Sequence, residues 1–261
     1  MIVCGIDVGS LSAEAALLSD GKLAAYSLIR TGPDSAETAR QALKEVLDQT
    51  EIRQKDIDYT VATGYGRVIV PFADKNITEI SCHAKGAHHF FPSVRTILDM
   101  GGQDCKAIQC DENGKVSNFI MNDKCAAGTG RAFEVMANLL QIKLEDIGPL
   151  SLEFEGEPVK ISNKCIVFAK SEVLSYMREG VPLNQVLAGL CDGVAERVKG
   201  LIRSVGLKED FVISGGITKN IGVVQRIEEK LGLKASINFE PQIVGAVGAA
   251  IFAKEILENG G

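Results

Sequence analysis

One pattern of residues occurs twice in this chain, and that duplication constrains the fold more than any other feature. The stretch GIDVGSLSAEAALLSDGKLAAYSL near the N-terminus and the later stretch ILDMGGQDCKAIQCDENGKVSNFI align almost without gaps. Asp7 aligns with Asp99, and Gly9 aligns with Gly101. In both stretches apolar strand residues flank an Asp-Gly or Asn-Gly turn, which is typical of an antiparallel hairpin. The sequence therefore predicts two similar units.

Each copy of the repeat places an aspartate at the end of its first strand and a glycine two residues later. A carboxylate in that position can hold the water molecules of a magnesium ion, and the bare backbone can donate N–H groups to phosphate. Two such loops facing each other would bind a nucleotide. The alternative is two unrelated hairpins that share turn chemistry, but the matching Asp7 and Asp99 favour the first interpretation.

Two glycine-rich stretches follow the second repeat. FVISGGITKN reads as a buried strand that runs into Gly215 and Gly216 and then a helix. The paired glycines would let a nucleotide lie against the backbone. PQIVGAVGAAIFAKEI, residues 241–256, opens a helix rich in glycine and alanine, for which tight packing alone is also a sufficient explanation.

The stretches GIDVGS, ILDMGGQD, VISGGITKN and IVGAVGAA resemble the two phosphate motifs, the adenosine motif and the connecting motif of the actin, hexokinase and chaperone ATPase superfamily. The four occur in the expected order, which makes the resemblance specific. It implies an α/β fold of two ribonuclease-H-like lobes with the nucleotide in the cleft between them. We expect lobe I to span residues 1–92, with the C-terminal helix 242–261 packing back on it, and lobe II to span residues 93–241.

The resemblance also implies roles for individual residues. Asp7 and Asp99 would hold magnesium-bound water or orient the water that attacks phosphate, and Gln103 would sense the γ-phosphate. The remaining contacts with ATP or ADP are expected from Gly9, Ser10, Leu11 and Ser12 of the first phosphate loop, from Gly101, Gly102 and Gln103 of the second, and from Gly215, Gly216, Lys219 and Gln242 around adenosine.

The stretches NDKCAAGTGR and ISNKCIVFAKSEV contain cysteines that are not part of the superfamily pattern. Cys125 precedes a predicted amphipathic helix from Thr129, and Cys165 precedes one from Ala169. A helix N-terminus carries a partial positive charge and lowers the pKa of a nearby thiol, which suits an anion or thiolates bound to iron. A [4Fe–4S] cluster takes four thiolates, and a homodimer would supply two from each subunit. The alternative is that both are buried apolar thiols.

The stretches NDKCAAGTGR, ATGYGR, SCHAKGAHHFFP and GGQD resemble the activator ATPases of 2-hydroxyacyl-CoA dehydratases and the related ATPase subunits of benzoyl-CoA reductases. The resemblance covers essentially the whole chain. It implies an oxygen-sensitive homodimer that shares one [4Fe–4S] cluster held by Cys125 and Cys165. ATP hydrolysis with Mg²⁺ would drive low-potential electron transfer from reduced ferredoxin or flavodoxin, through the cluster, to a partner iron–sulfur dehydratase or reductase.

The first phosphate loop departs from that resemblance. Dehydratase-type relatives tend to have a Ser-Thr pair and a lysine there, whereas Leu11 and Glu14 occupy this stretch in GSLSAE. The partner is therefore left open between a dehydratase, a benzoyl-CoA reductase and a double-cubane reductase system. A small-molecule kinase of the same fold and a non-catalytic assembly protein are alternatives from other functional classes.

Charge and composition argue against other partners. The net charge of −6 disfavours nucleic acid and an anionic membrane surface. The apolar runs are too short to span a bilayer, and Met1 runs directly into a predicted strand, so we expect neither a membrane segment nor a leader. The expected location is the cytoplasm, where cysteines stay reduced.

The other thiols and the histidines are predicted to have packing roles. This group comprises Cys4, Cys105 and Cys110 in strands, Cys191 in a helix, and Cys82, His83, His88 and His89 in SCHAKGAHHF. His83 and His88 are not spaced to share a helix face, so a satisfied surface or lobe-interface role is expected for them. In TGYGR, either the glycines simply turn the chain or Tyr65 and Arg67 touch a hinge or a partner.

Overall fold

A five-stranded mixed sheet is formed by the N-terminal part of the chain. The computed structural model describes residues 1–122 and 128–260. The first sheet comprises β1 (Ile2–Val8), β2 (Ser12–Ser19), β3 (Lys22–Arg30), β4 (Tyr59–Thr63) and β5 (Lys75–Asn76). Their order across the sheet is β3-β2-β1-β4-β5. Strand β1 is antiparallel to β2 and parallel to β4.

A second, four-stranded sheet repeats the central part of the first. It comprises β6 (Thr96–Met100), β7 (Cys105–Cys110), β8 (Val116–Asn122) and β9 (Phe211–Ser214), in the order β8-β7-β6-β9. Strand β6 is antiparallel to β7 and parallel to β9, as β1 is to β2 and β4. The predicted duplication is therefore present in the topology, and Cys4, Cys105 and Cys110 lie in strands as expected.

Eight α-helices accompany the sheets in the described residues. They are α1 (Ser35–Leu47), α2 (Glu79–Phe90), α3 (Gly130–Leu140), α4 (Ile147–Leu152), α5 (Ile166–Arg178), α6 (Leu183–Val205), α7 (Ile221–Leu231) and α8 (Val244–Glu258). Polar N-caps fix several starts, because their side chains accept otherwise unpaired backbone N–H groups. Asp34 caps α1 through Ala36 and Glu37, and Thr78 caps α2 through Ser81.

The predicted start of α5 at Ala169 is wrong. The helix begins at Ile166, with Cys165 as its N-cap, and the N–H of Ala169 donates to the carbonyl oxygen of Cys165 at 3.0 Å. Ile166 and Val167 are β-branched and have a weak intrinsic helix preference, which the surrounding structure overrides.

Helix α8 approaches its neighbours so closely that glycine is required at the contacts. A Cβ atom on Gly248 would overlap the carbonyl oxygen of Cys82 in α2, and one on Gly86 would overlap that of Val244. Gly5 of β1 meets the backbone of Ala246 in the same way. Backbone contacts of this kind fix the position of α8 against both α2 and β1.

Each sheet has its own apolar core. Ile6 and Leu17 of the first sheet pack with Val46 of α1, whereas Leu98 of the second packs with helices that include Met136 and Leu187. No helix within residues 1–122 or 128–260 is both long and apolar enough to cross a membrane. The expected division of the chain at residues 92 and 93 stays a prediction.

Because α2 and α8 are in backbone contact, a single methyl group added at Gly248 should strongly destabilise the fold. Gly248→Ala should lower the free energy of unfolding by about 3 kcal/mol, because the added carbon meets backbone that cannot rotate away. Gly200→Ala in α6 is the matched control, since a Cβ there has no neighbour within 4 Å. Alanine in a helix interior should stabilise by about 0.5–1 kcal/mol. Anaerobic denaturant titration measures both, and a Gly248→Ala protein of unchanged stability would contradict the close approach.

Candidate functional site

Two buried aspartates, one from each sheet, lie on either side of a histidine ring. Asp7 lies near the end of β1 and Asp99 near the end of β6, and they are 6% and 2% exposed. The imidazole of His83 on α2 lies between them. Its Nε2 is 3.7 Å from Oδ2 of Asp7, and its Nδ1 is 3.5 Å from Oδ1 of Asp99. The duplication thus brings together the predicted catalytic carboxylates.

A buried lysine accompanies the second aspartate. Lys106 stands opposite Asp99 in the β6–β7 pair, and its Nζ lies 3.4 Å from Oδ2 of Asp99 and 2.8 Å from Oδ1 of Asp104. Ser214 of β9 donates to the other oxygen of Asp99 at 3.0 Å. Burial alone would raise the pKa of Asp99, but His83, Lys106 and this hydrogen bond hold it below its ordinary value. Asp99 therefore stays ionised.

The first aspartate has an acidic neighbour instead. Glu14 stands opposite Asp7 in the β1–β2 pair and is 4% exposed. Burial raises the pKa of Asp7 to about 6, against the opposing charge of His83. Burial and then the charge of Asp7 raise the pKa of Glu14 well above its ordinary value. The first half of the site is acidic, whereas the second half contains Lys106.

The two glycine loops form equivalent tight turns and touch each other. The N–H of Gly9 donates to the carbonyl oxygen of Ser12 at 3.0 Å, and that of Gly101 donates to Asp104 at the same distance. A Cβ on Gly102 would meet the side chain of Leu11. The predicted phosphate loops therefore face each other. Ser10 lies half-buried in the first, and Gln103 is exposed in the second.

The predicted adenosine residues lie beside these loops. Gly215 has φ +84°, a conformation that favours glycine, and a Cβ there would overlap the backbone of Met100 at the end of β6. Nε2 of Gln242 donates to Oγ of Ser12 at 3.3 Å, which connects this group to the first loop. Gly216 also lies against Gln242. Lys219 instead pairs with Glu240 at 3.0 Å and is half exposed.

The cysteines separate into two kinds. Cys4, Cys82, Cys105, Cys110 and Cys191 are buried, and Cys165 is the one partly exposed thiol in the described residues. Burial raises the pKa of Cys4 to about 12 and that of Cys110 to about 11, so these thiols stay protonated and pack. Cys125 lies outside the described residues.

Two of the buried site residues, Lys106 and His83, were not assigned to the site from the sequence. Lys106 follows Asp99 by seven positions, as Glu14 follows Asp7, so the repeat itself could have revealed it. His83 was expected to be a satisfied surface or lobe-interface residue; it lies between the two sheets, as the second alternative has it, but it is buried and its Nδ1 has no hydrogen-bond partner among the described residues. Nothing in the repeat indicates it, because α2 has no counterpart in the aligned stretches.

The glycine that precedes Tyr65 also borders the site. Gly64 has φ +83°, and a Cβ there would overlap Oδ1 of Asp7. The glycine therefore allows the chain to pass close to the carboxylate as well as to turn. Nη1 of Arg67 donates to the carbonyl oxygen of Gly64 at 2.9 Å, and Tyr65 is 84% exposed.

Paired glycine loops and buried carboxylates on two sheets of like topology define a two-lobed nucleotide-binding protein. A ROK family glucokinase from Streptomyces griseus superposes with a TM-score of 0.57 over 98% of this chain and 100% of that one. At 13% identity this likeness shows the fold alone. The predicted α/β fold of the actin and hexokinase type is confirmed.

The chain belongs to the BadF/BadG/BcrA/BcrD ATPase family, whose sequence pattern matches residues 4–253. It is 45% identical to the activator of lactoyl-CoA dehydratase from Anaerotignum propionicum, over 99% of this chain and 100% of that relative. It superposes with a TM-score of 0.93 and 42% identity on component A of (R)-2-hydroxyglutaryl-CoA dehydratase from Acidaminococcus fermentans, over 98% of each chain. The activator of 2-hydroxyisocaproyl-CoA dehydratase from Clostridium difficile with bound ADPNP gives 0.93 at 37% identity, over 99% of this chain and 97% of that one. The predicted family is confirmed.

The acidic half of the site predicts a pH-dependent cost to folding. The folded state holds a proton on Glu14 more tightly than the unfolded state does, so the free energy of unfolding falls as pH rises above the ordinary glutamate value of 4.5. Glu14→Gln removes the buried charge and should stabilise the nucleotide-free protein by about 1–3 kcal/mol at pH 8. The gain should shrink towards pH 5.

Exposed Glu51 provides the matched control, because Glu51→Gln changes the same charge away from the site. It should alter stability by less than about 0.5 kcal/mol at either pH. Thermal unfolding at several pH values measures the difference. A Glu14→Gln gain that is the same at pH 5 and pH 8 would show that Glu14 is not held protonated by its surroundings.

Proposed function

We propose that this protein is an ATP-dependent activator that delivers single electrons at low potential to an iron–sulfur 2-hydroxyacyl-CoA dehydratase. The dehydratase activators among its relatives favour this partner over a benzoyl-CoA reductase or a double-cubane system. Electrons would come from reduced ferredoxin or flavodoxin. The free thiols fit the reducing cytoplasm as the location. The observation that carries the proposal is a direct contact between the second phosphate loop and the helix that follows Cys125 in the sequence.

That contact consists of two backbone hydrogen bonds. The N–H of Gly130 donates to the carbonyl oxygen of Gly101 at 3.0 Å, and the N–H of Arg131 donates to that of Gly102 at 2.8 Å. The glycines belong to the second phosphate loop, whereas the donors open α3. A shift of the loop around a terminal phosphate would therefore shift the first turn of α3, five residues after Cys125.

Helix α3 also contacts the first sheet. Nη2 of Arg30, at the end of β3, lies 3.0 Å from Oε1 of Glu134, and Nη1 of Arg131 lies 2.8 Å from Oε2 of the same carboxylate. The Arg30 side chain is mostly exposed, so this pair contributes little to stability. The pair nevertheless places the end of β3 beside α3, so a movement of the first sheet on lobe closure would reach this helix.

The strand ends fit a magnesium nucleotide. Mg²⁺ binds through one or two carboxylates together with water and substrate phosphates. Asp7 and Glu14 offer buried carboxyl groups, and no group of three or more His, Cys, Asp or Glu side chains in the described part of the chain could hold a metal without such help. Asp99, kept ionised, would orient the attacking water, and the exposed Gln103 would reach the terminal phosphate.

Cys165 fits a thiolate ligand of a shared cluster. It is the N-cap of α5, and its side chain makes no capping hydrogen bond within the described residues. Val167 and Phe168 beside it are 65% and 64% exposed, an apolar surface that a second copy of the chain would cover. The assignment of Cys125 as the other ligand rests on the family resemblance. When bound, a [4Fe–4S] cluster would supply the one-electron redox centre.

Iron analysis under anaerobic conditions tests this proposal. The purified homodimer should contain about four irons, as one shared cubane requires. Cys165→Ser and Cys125→Ser should each lose the iron and abolish activation of a dehydratase, while ATP is still bound. Cys110→Ser is the matched control, because this buried thiol donates to the carbonyl oxygen of Val94 and serine can do the same.

Two results would contradict the proposal. One is a full iron content in Cys165→Ser, which would show that the Cys165 thiol is not a ligand of the cluster. The other is an iron-free, colourless wild-type protein that phosphorylates a sugar or an acid, which would favour a small-molecule kinase of the same fold. Loss of iron in Cys110→Ser as well would mean that cluster loss reflects general destabilisation.

A further inference from the structure

We infer that His83 is a positioning residue for ATP hydrolysis, whose imidazole sets the separation and orientation of Asp7 and Asp99. The inference rests only on the ATPase part of the proposed function; it needs neither the cluster nor the electron-accepting partner. His83 lies on α2, outside both phosphate loops, yet it is the side chain that contacts the carboxylates of both sheets.

The His83 ring lies close to both carboxylates but forms no hydrogen bond with either of them. Its two nitrogens lie 3.7 Å and 3.5 Å from the carboxylate oxygens, beyond hydrogen-bond distance. The whole residue is only 7% exposed, and its Nδ1 is buried without a hydrogen-bond partner among the described residues. A buried polar atom without a partner destabilises a fold. Catalytic hydrogen bonds are often long in the absence of substrate and shorten when it binds. Closure of the two lobes on a nucleotide would shorten the contacts of His83 with both carboxylates.

The packing around α2 keeps the ring from moving away. Gly245, in the first turn of α8, faces both Oδ2 of Asp7 and Nε2 of His83, and a Cβ there would overlap that carboxylate oxygen. The next turn of α8 places Gly248 against the carbonyl oxygen of Cys82, the residue before His83. In both contacts α8 presents a glycine, and a glycine has no side chain that could rotate to make room, so the ring and the Asp7 carboxylate are confined together.

The two aspartates depend on this ring to different degrees. Asp99 has Lys106 and Ser214 as further partners, at 3.4 Å and 3.0 Å. Asp7 faces Glu14 across the strand pair, and in the described residues His83 is the basic group that the structure pairs with it. Loss of the ring should therefore disturb Asp7 more than Asp99. His83 acts through these carboxylates and is not itself required to touch the phosphate.

Amide substitutions can separate the two contacts. The terminal group of asparagine falls near the Nδ1 position of histidine, and that of glutamine near the Nε2 position. His83→Gln therefore retains a polar group towards Asp7, whereas His83→Asn retains one towards Asp99. His83→Ala retains neither. Exposed His89 on the same helix supplies the control, His89→Gln.

The experiment measures phosphate release by the anaerobic homodimer with Mg²⁺ and ATP, and the affinity of each variant for a non-hydrolysable ATP analogue. A misplacement of about 1 Å can lower a rate about 10²-fold, so His83→Ala should lose about that much in kcat. Analogue affinity and melting temperature should stay close to wild type. The kcat of His83→Gln should be at least tenfold higher than that of His83→Ala, and the kcat of His83→Asn should lie between the two. His89→Gln should match wild type.

Three results would overturn the inference. The first is a kcat of His83→Ala or of both amide variants within threefold of wild type. The second is a parallel loss of kcat, analogue affinity and melting temperature with no recovery in either amide variant, which would indicate a merely structural role. The third is an equal loss in His89→Gln. Failure to activate a dehydratase would count against the proposed function alone, because no partner protein takes part in this assay.

Discussion

The site depends on a backbone-to-backbone contact between α2 and α8 that only glycine permits. Gly86 and Gly248 allow the two helices to approach until each meets a carbonyl oxygen of the other. Gly245 then places the start of α8 against Asp7 and the ring of His83. Because α2 also reaches Asp99 through that ring, the contact joins the strand ends of both sheets. A larger side chain at any of these glycines would separate groups that must act on one nucleotide.

The duplication produces a site whose two halves differ in charge. In each half a carboxylate near the end of the first strand faces a residue of the second strand, and that residue is Glu14 in one sheet and Lys106 in the other. The first half concentrates buried carboxyl groups, which suits a hard cation. The second holds Asp99 ionised beside a lysine, which suits the orientation of water near phosphate oxygens. Under the proposed function, the first copy of the repeat would hold the metal and the second would orient the attacking water.

Much of the fold could be predicted, because its signals are local. The four glycine motifs and the apolar strands that flank the hairpin turns report turn and strand conformations that short stretches determine by themselves. The onset of α5 at Ile166 was missed because local preference opposes it. A lobe-interface position was among the expectations for His83, but its place between Asp7 and Asp99 was not, because that burial arises only when α2 packs against α8 and no spacing along the sequence encodes that contact.

Amide hydrogen exchange across α3 can show whether nucleotide at the glycine loops alters the helix that follows Cys125. The N–H groups of Gly130 and Arg131 donate to the second phosphate loop, so a non-hydrolysable ATP analogue with Mg²⁺ should slow their exchange by about tenfold or more. Exchange in the middle of α1, away from the loops, should not change. Unaltered exchange at the start of α3, in protein whose two phosphate loops are clearly protected by the analogue, would contradict the account.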